Sequence, residues 1–183
     1  MKKSTFLLLF SLFAMMCQAQ TGHMKFLGIP LTGTITQFQS KLSAKGYVPN
    51  TKMNPHLAVG TRAFTGGTFI GKKAEVAVYY DAESKIVHGA KAYFEDYTET
   101  KAKEEIDYLK ELLTQKYVDD GYITEDTKTD LPCFTIDTQL GSIFVYGMKN
   151  ENMAGYPYHY TVHIEYTDYA NSSKHHNNIM DDL

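Results

Sequence analysis

The amino-acid sequence predicts an α+β fold in which helices pack on one face of an antiparallel sheet. Two segments carry apolar residues at helical spacing, and seven short segments, one before the first helix and three after each helix, carry the residue pattern of strands. Each helical segment precedes three strands joined by short turns, the order of a helix laid on an antiparallel meander. Residues 24–96 and 97–169 therefore read as two tandem helix-plus-β-meander units, with a single unduplicated domain as the open alternative.

The first 19 residues have the three parts of a secretory signal peptide. Two lysines precede an apolar run over residues 6–16, and Ala19 is the small residue before a cleavage site at Gln20. The remaining chain would hold 16 basic and 21 acidic residues, a formal charge of −5. No other segment reaches transmembrane length. We therefore expect a secreted, periplasmic or cell-surface protein with no integral membrane segment after cleavage.

The two cysteines have separate roles in this scheme. Lipidation of Cys17 is the less favoured alternative to cleavage after Ala19, because Met16 and its neighbours place bulky side chains where that processing requires small ones. After cleavage, Cys133 has no partner for an intramolecular disulfide. Since it opens an apolar strand, we expect it to be a buried, inert thiol.

The first unit begins with an extended apolar stretch, Met24–Leu31, followed by a short helix. Thr34 or Thr36 can cap this helix, with a glutamine three residues on as the capping-box partner, and Gly46 ends it. Its apolar face consists of Ile35, Phe38 and Leu42. A loop over 49–55 leads to three predicted strands, namely Arg62–Ile70, Ala74–Tyr80 and Lys85–Phe94.

The second unit opens with the strongest helix of the chain, about Thr98–Val118. Its apolar stripe is Ala102, Ile106, Leu109, Leu113 and Tyr117. Three strands follow, namely Pro132–Asp137, Gly141–Met148 and Tyr156–Thr167. The last of these alternates most clearly, with Tyr158, Tyr160, Val162, Ile164 and Tyr166 on one face and His159, Thr161, His163 and Glu165 on the other. We place the domain at residues 20–170 and expect 171–183 to be a polar, mobile tail.

The segment Phe26–Gly33, followed by Phe38, Lys41, Leu42 and Gly46-Tyr47, resembles the opening of small secreted proteins of Gram-negative gut-type bacteria. This resemblance implies secretion and carries no activity with it. The helix-then-meander order, used twice, is also similar to the tandem architecture of the β-lactamase-inhibitory-protein fold. The chain departs from that inhibitor in having no cysteine pairs and no tryptophan, so the resemblance supports a topology and not inhibition of a β-lactamase.

Several function classes have no support in the sequence. A net charge of −3 without a basic tract argues against nucleic-acid binding. No Gly-x-Ser-x-Gly elbow supplies a nucleophile, and Gly66-Gly67 and Gly71 lack the Lys-Ser/Thr ending of a phosphate loop, so we interpret them as bend or bulge glycines. We expect no enzymatic activity.

Seven histidines raise the question of a metal site. His159 and His163 share a strand face but stand about 13 Å apart at strand rise, too far to hold one ion together. The adjacent pair His175-His176 lies in the polar tail and is expected to be solvated. We therefore predict no metal and no cofactor.

Tyrosine is the unusual feature, with fourteen residues and no tryptophan. Tyrosine buries a large ring and keeps a polar tip, which suits recognition surfaces. Tyr79, Tyr93 and Tyr146 are the candidates for an exposed sheet face, and we add His159 and His163 to the predicted binding residues. The favoured hypothesis is a non-enzymatic module that binds an envelope or extracellular protein. The alternative is binding of a glycan or small molecule in a Tyr-lined concavity.

Overall fold

The computed structural model describes residues 22–126, 131–150 and 159–181. These residues form three α-helices, a single 3₁₀ turn at Asn54–His56 and twelve strands. The helices are α1 Ile35–Ser43, α2 Glu99–Lys116 and α3 Tyr169–Asp181. The strands are β1 Lys25–Phe26, β2 Ile29–Pro30, β3 Val48–Pro49, β4 Thr61–Thr65, β5 Thr68–Phe69, β6 Lys72–Lys73, β7 Glu75–Tyr80, β8 Val87–Tyr97, β9 Gly121–Asp126, β10 Cys133–Thr138, β11 Gly141–Asn150 and β12 His159–Asp168.

Eight of these strands form one antiparallel sheet in the order β3-β4-β7-β8-β12-β11-β10-β9. Strands β1–β2 and β5–β6 are separate two-stranded ribbons. The predicted α+β class is confirmed. The sheet consists of two sets of four strands, each of which follows a helix. Strands β3, β4, β7 and β8 follow α1, and strands β9 to β12 follow α2. The last strands of the two sets, β8 and β12, pair with each other.

Both predicted helices form where expected and bury the predicted faces. Thr34 caps α1 in a full capping box with Gln37, and Thr98 caps α2 through the backbone N–H of Lys101. The side chains that enter the core are Ile35, Phe38 and Leu42 from α1 and Ala102, Ile106, Leu109 and Leu113 from α2. They pack on sheet residues of one alternation parity, among them Val76, Val78, Ala90, Ala92, Phe94, Ile143, Val145, Val162 and Ile164. One face of the sheet is therefore the core.

The predicted first strand of the meander is wrong in its extent. Instead of running to Ile70, β4 ends at Thr65, and the chain bends at Gly66, whose φ is +91°, before forming the β5–β6 ribbon. Gly67 lies against the ring of Tyr47, where a Cβ would come within 2.3 Å of Cε2. Gly66 is thus needed for a bend, as interpreted from the sequence, and Gly67 is needed for a close approach to Tyr47 that the sequence did not indicate.

Strand β9 was missed. The sequence analysis places no strand between the helix Thr98–Val118 and Pro132, but β9 begins at Gly121 and pairs with β10 from Gly121↔Thr138 to Asp126↔Cys133. Predicted strand residues 156–158, including Tyr158, lie outside the described residues.

The predicted polar tail, residues 171–183, is helical over residues 171–181, which belong to α3. Asp168 is fully buried and accepts hydrogen bonds from the backbone N–H groups of Asn171, at 3.0 Å, and Met24, at 2.8 Å. The Asn171 amide donates to the carbonyls of Leu31 and Val87. These contacts join the start of α3 to the opposite end of the chain.

In the described part of the chain, no helix has the length and apolar character needed to cross a membrane.

Candidate functional site

The sheet face opposite the helices is the candidate site, and we call it the open face. Its residues come from the second alternation parity of β7, β8, β12 and β11. They are Glu75, Ala77 and Tyr79 on β7, Lys91, Tyr93 and Glu95 on β8, Thr161, His163 and Glu165 on β12, and Phe144, Tyr146 and Met148 on β11. This face is richer in aromatic and charged groups than in aliphatic ones.

Four rings form a row across the centre of the open face, and three of them lie in register on neighbouring strands. His163 pairs in register with Tyr93 on one side and Tyr146 on the other. The centroids of Tyr93 and His163 are 5.7 Å apart at 22°, and those of His163 and Tyr146 are 4.8 Å apart at 4°. Phe144, two residues from Tyr146 on β11, stacks on it at 4.7 Å. We call these four residues the aromatic row.

The stacking determines what the aromatic row can offer a ligand. The faces of His163 and Tyr146 are occupied by neighbouring rings, so these two side chains present edges and polar atoms outward. The Tyr146 hydroxyl lies 3.5 Å from Lys91 Nζ, and the Tyr93 hydroxyl lies 3.7 Å from Met53 Sδ. Tyr93 and Phe144 are the end rings of the row, so each has one ring face that no other ring of the row covers. Tyr93 pairs in register with Glu75 on β7.

Burial is the main reason that the tyrosines of the open face stay protonated. Burial and Glu165 raise the pKa of Tyr79 to about 12. Burial, with Glu75 and other anionic groups nearby, raises the pKa of Tyr93 to about 12. Burial raises the pKa of Tyr146 despite the opposing Lys91. The phenols therefore act as neutral hydrogen-bonding groups at physiological pH.

His163 is the most enclosed polar residue of the row. It is 8% exposed, its Nε2 lies 2.9 Å from Thr161 Oγ1, and its Nδ1 is buried without a hydrogen-bond partner among the described residues. Burial and the nearby Lys91 lower the pKa of the imidazole to about 4. The ring is therefore neutral at pH 7 and acts as an aromatic spacer between two tyrosines.

A cavity of about 450 Å³ adjoins the Tyr93 end of the row. Tyr93, Glu75, Glu95 and Lys73 contribute side chains to it, and the Gly66-Gly67 bend contributes backbone. The Glu75 carboxylate accepts hydrogen bonds from Thr65 Oγ1 and Asn50 Nδ2. The carboxylates of Glu75 and Glu95 outnumber the ammonium group of Lys73, so this end of the open face is acidic.

Four of the five predicted binding residues are brought together by the sheet. Tyr79, Tyr93, His163 and Tyr146 lie on the open face of four consecutive strands, β7, β8, β12 and β11. His159 pairs through its backbone with Asn150, while its side chain lies outside the described residues. Sequence reasoning missed Phe144 and Lys91, although each shares alternation parity with a predicted tyrosine on its own strand.

The expectation for Cys133 is wrong, because the side chain is only partly buried. Cys133 pairs in register with Tyr146, which places it on the open face and not among the core residues of β10, Phe134 and Ile136. In the described residues, no three His, Cys, Asp or Glu side chains form a group able to hold a metal ion.

A second polar cluster joins α3 to the β7–β8 turn. His175 Nδ1 lies 2.8 Å from Asp81 Oδ2, and the Ser84 hydroxyl donates to the other oxygen at 2.7 Å. His88 stacks on His175 with centroids 4.7 Å apart. Serine activation needs the hydroxyl to donate to the histidine, whereas here both groups bind the carboxylate. The arrangement anchors α3 and does not form a nucleophile, and it contradicts the expectation that His175 is merely solvated.

No family model, curated protein or solved structure matches this chain.

Proposed function

We propose that this chain is a secreted, non-enzymatic binding module of the bacterial cell envelope that presents the open face to a protein partner. The signal-peptide pattern of residues 1–19 supports secretion. The observation that supports binding most directly is the aromatic row. Its four rings are stacked on the face of the sheet opposite the core helices α1 and α2.

The stacked arrangement favours a protein over a flat ligand. Rings held by their neighbours lose little conformational freedom when a partner binds, and tyrosine edges with hydroxyl tips are frequent in protein interfaces. Phe144 and Met148 extend this surface with side chains that are 39% and 47% exposed. A partner would bury these groups at the centre of the contact.

The charges indicate what the partner should carry. Because Glu75 and Glu95 outnumber Lys73 at the Tyr93 cavity, a basic side chain of the partner would be attracted there. It could also lie on the outer face of Tyr93 as a cation–π contact. The partner surface we propose therefore has an apolar centre and a lysine or arginine at one end.

The second candidate function is binding of a glycan or small molecule in that same cavity. Its volume of about 450 Å³ is within the range of ligand sites. The outer ring face of Tyr93, beside carboxylates, could stack on a sugar. The stacked faces of Tyr146 and His163 could not, and Phe144 does not line this cavity, so this candidate depends on Tyr93 and not on the rest of the row.

Single substitutions separate the two candidates. Purified wild type, Tyr93→Ala, Tyr146→Ala and the control Tyr108→Ala, whose ring is 45% exposed on α2, would be used to capture proteins from a detergent-solubilised bacterial envelope extract. All four would also be tested on a glycan array and for thermal stability.

Protein binding predicts one retained protein whose recovery falls about tenfold with Tyr93→Ala and with Tyr146→Ala but not with Tyr108→Ala, at unchanged stability. Glycan binding predicts an array signal that only Tyr93→Ala removes. Equal recovery by all four proteins, or unfolding of both open-face variants, would contradict the proposal.

A further inference from the structure

A second cavity, of about 330 Å³, lies on the helix side of the sheet, between α2 and the two small ribbons. It is independent of the open face because its floor is made by Ile164 and Tyr166, the core-facing residues of β12. Its walls are apolar, with Leu109, Leu112 and Leu113 from α2 and Phe69 from β5. The volume lies within the range of small-molecule sites.

The tips of both ribbons reach this cavity. Leu27-Gly28 joins β1 to β2, and Ile70-Gly71 joins β5 to β6. All four residues have positive φ, at 53° and 75° in the first turn and 46° and 79° in the second. Two-residue turns of this kind are type I′, whose first position favours Asn, Asp or Gly. Here that position holds a large aliphatic residue in both ribbons.

The two aliphatic residues are unfavourable for folding at these positions. A branched side chain in the left-handed region is sterically strained, and for β-branched isoleucine the conformation is a clear outlier. Leu27 is partly buried against the core, but core burial does not account for Ile70, which is 41% exposed. Both Leu27 and Ile70 line the same cavity, so the shared feature of the two strained turns is the apolar wall they supply.

The charges of the cavity all have one sign. Lys25 and Lys116 line it, and no Asp or Glu of the described residues does. An apolar interior with two ammonium groups is complementary to a molecule with an aliphatic body and an anionic end. We propose that this cavity binds a single free aliphatic-chain carboxylate, of the fatty-acid class. Leu27 and Ile70 close over the chain, and the two lysines attract the carboxylate.

Calorimetric titration of the whole chain with decanoate tests this inference, with decyltrimethylammonium as the probe of opposite charge and acetate as the probe without a chain. We expect saturable binding of decanoate, binding of the cation about tenfold weaker or less, and none of acetate. Equal binding of the two decyl probes, no decanoate binding, or binding only to phosphatidylglycerol vesicles would overturn the proposal.

Ile70→Asn separates binding from folding, because asparagine suits the left-handed turn. We expect its melting temperature to stay the same or rise while its affinity for decanoate falls about tenfold. Val59→Asn is the matched control, since Val59 is 85% exposed outside the cavity. Lys116→Gln should weaken decanoate binding and leave binding of uncharged decanol unchanged. Unchanged decanoate affinity in both cavity variants would overturn the assignment.

Discussion

The buried imidazole of His163 should make the stability of the fold depend on pH between about 6.5 and 4. Its pKa is lowered to about 4 by burial and by Lys91, whereas histidine in an unfolded chain has a pKa near 6.5. The unfolded state therefore binds a proton at a higher pH than the folded state. By linkage, the free energy of unfolding must fall as the pH is lowered through this range.

The size of the effect follows from the two pKa values. The folded state takes up this proton with a pKa of about 4 and the unfolded state with a pKa of about 6.5. The fold is therefore about 3 kcal/mol less stable at pH 4 than at neutral pH. The residue is 8% exposed, so solvent screening reduces this value little. Since domains of this kind are stable by about 5–15 kcal/mol, the loss is large enough to measure by urea unfolding.

His163→Phe should remove this part of the pH dependence, because phenylalanine keeps a ring between Tyr93 and Tyr146 and does not titrate. Urea unfolding followed by circular dichroism would be measured at several pH values from 7.5 to 4, with exposed His56→Phe as control. We expect the wild type and the control to lose about 3 kcal/mol more than His163→Phe. Parallel curves for all three proteins would show that the imidazole is not enclosed in the aromatic row, and would refute the reasoning.

Three further substitutions test the packing that supports the open face. Asp168→Ala should lower the free energy of unfolding by about 3 kcal/mol in urea, because it removes the cap of α3 and leaves the buried backbone N–H of Met24 unpaired. Gly141→Ala should cost about 3 kcal/mol or more by the same method, since a Cβ would lie 1.9 Å from the Thr167 carbonyl oxygen. Lys72→Met should cost about 2 kcal/mol because it removes the ion-pair partner of Glu105, which is 5% exposed on α2.

Each of these three results has a contradicting outcome. If Asp168→Ala is no worse than alanine at exposed Asp119, α3 is not tied to the start of the chain by that carboxylate. A fully stable Gly141→Ala would mean that β11 and β12 do not approach as described. A Lys72→Met variant with wild-type stability would mean that the carboxylate of Glu105 is satisfied without the β5–β6 ribbon.

Local patterns in the sequence were sufficient for the two packed helices and for the parity of the open-face tyrosines. The capping box of α1 and the stripe of α2 depend on residues three or four apart, and alternation along one strand decides which side chains oppose the core. Parity alone placed Tyr79, Tyr93 and Tyr146 on the polar face of their strands. It could not place them beside one another.

The remaining features depend on contacts between distant segments. The aromatic row exists because β12 lies between β8 and β11, so that His163 is inserted between Tyr93 and Tyr146. Helix α3 is polar in sequence and depends on Asp168, whose carboxylate binds a backbone N–H 144 residues earlier. Edge strand β9 pairs with β10 alone and carries few apolar residues, so its alternation is weak. Strand pairing of this kind cannot be inferred from local periodicity.

The most direct test of the central claim is site-specific photo-crosslinking in cells. The full chain would be expressed with p-benzoylphenylalanine in place of Tyr146 on the open face or Tyr108 on α2, irradiated, and examined for adducts by mass spectrometry. The account predicts a discrete protein adduct from position 146 and none from position 108. Equal adducts from both positions, or a protein adduct from position 108 alone, would contradict the claim that the open face is the binding surface.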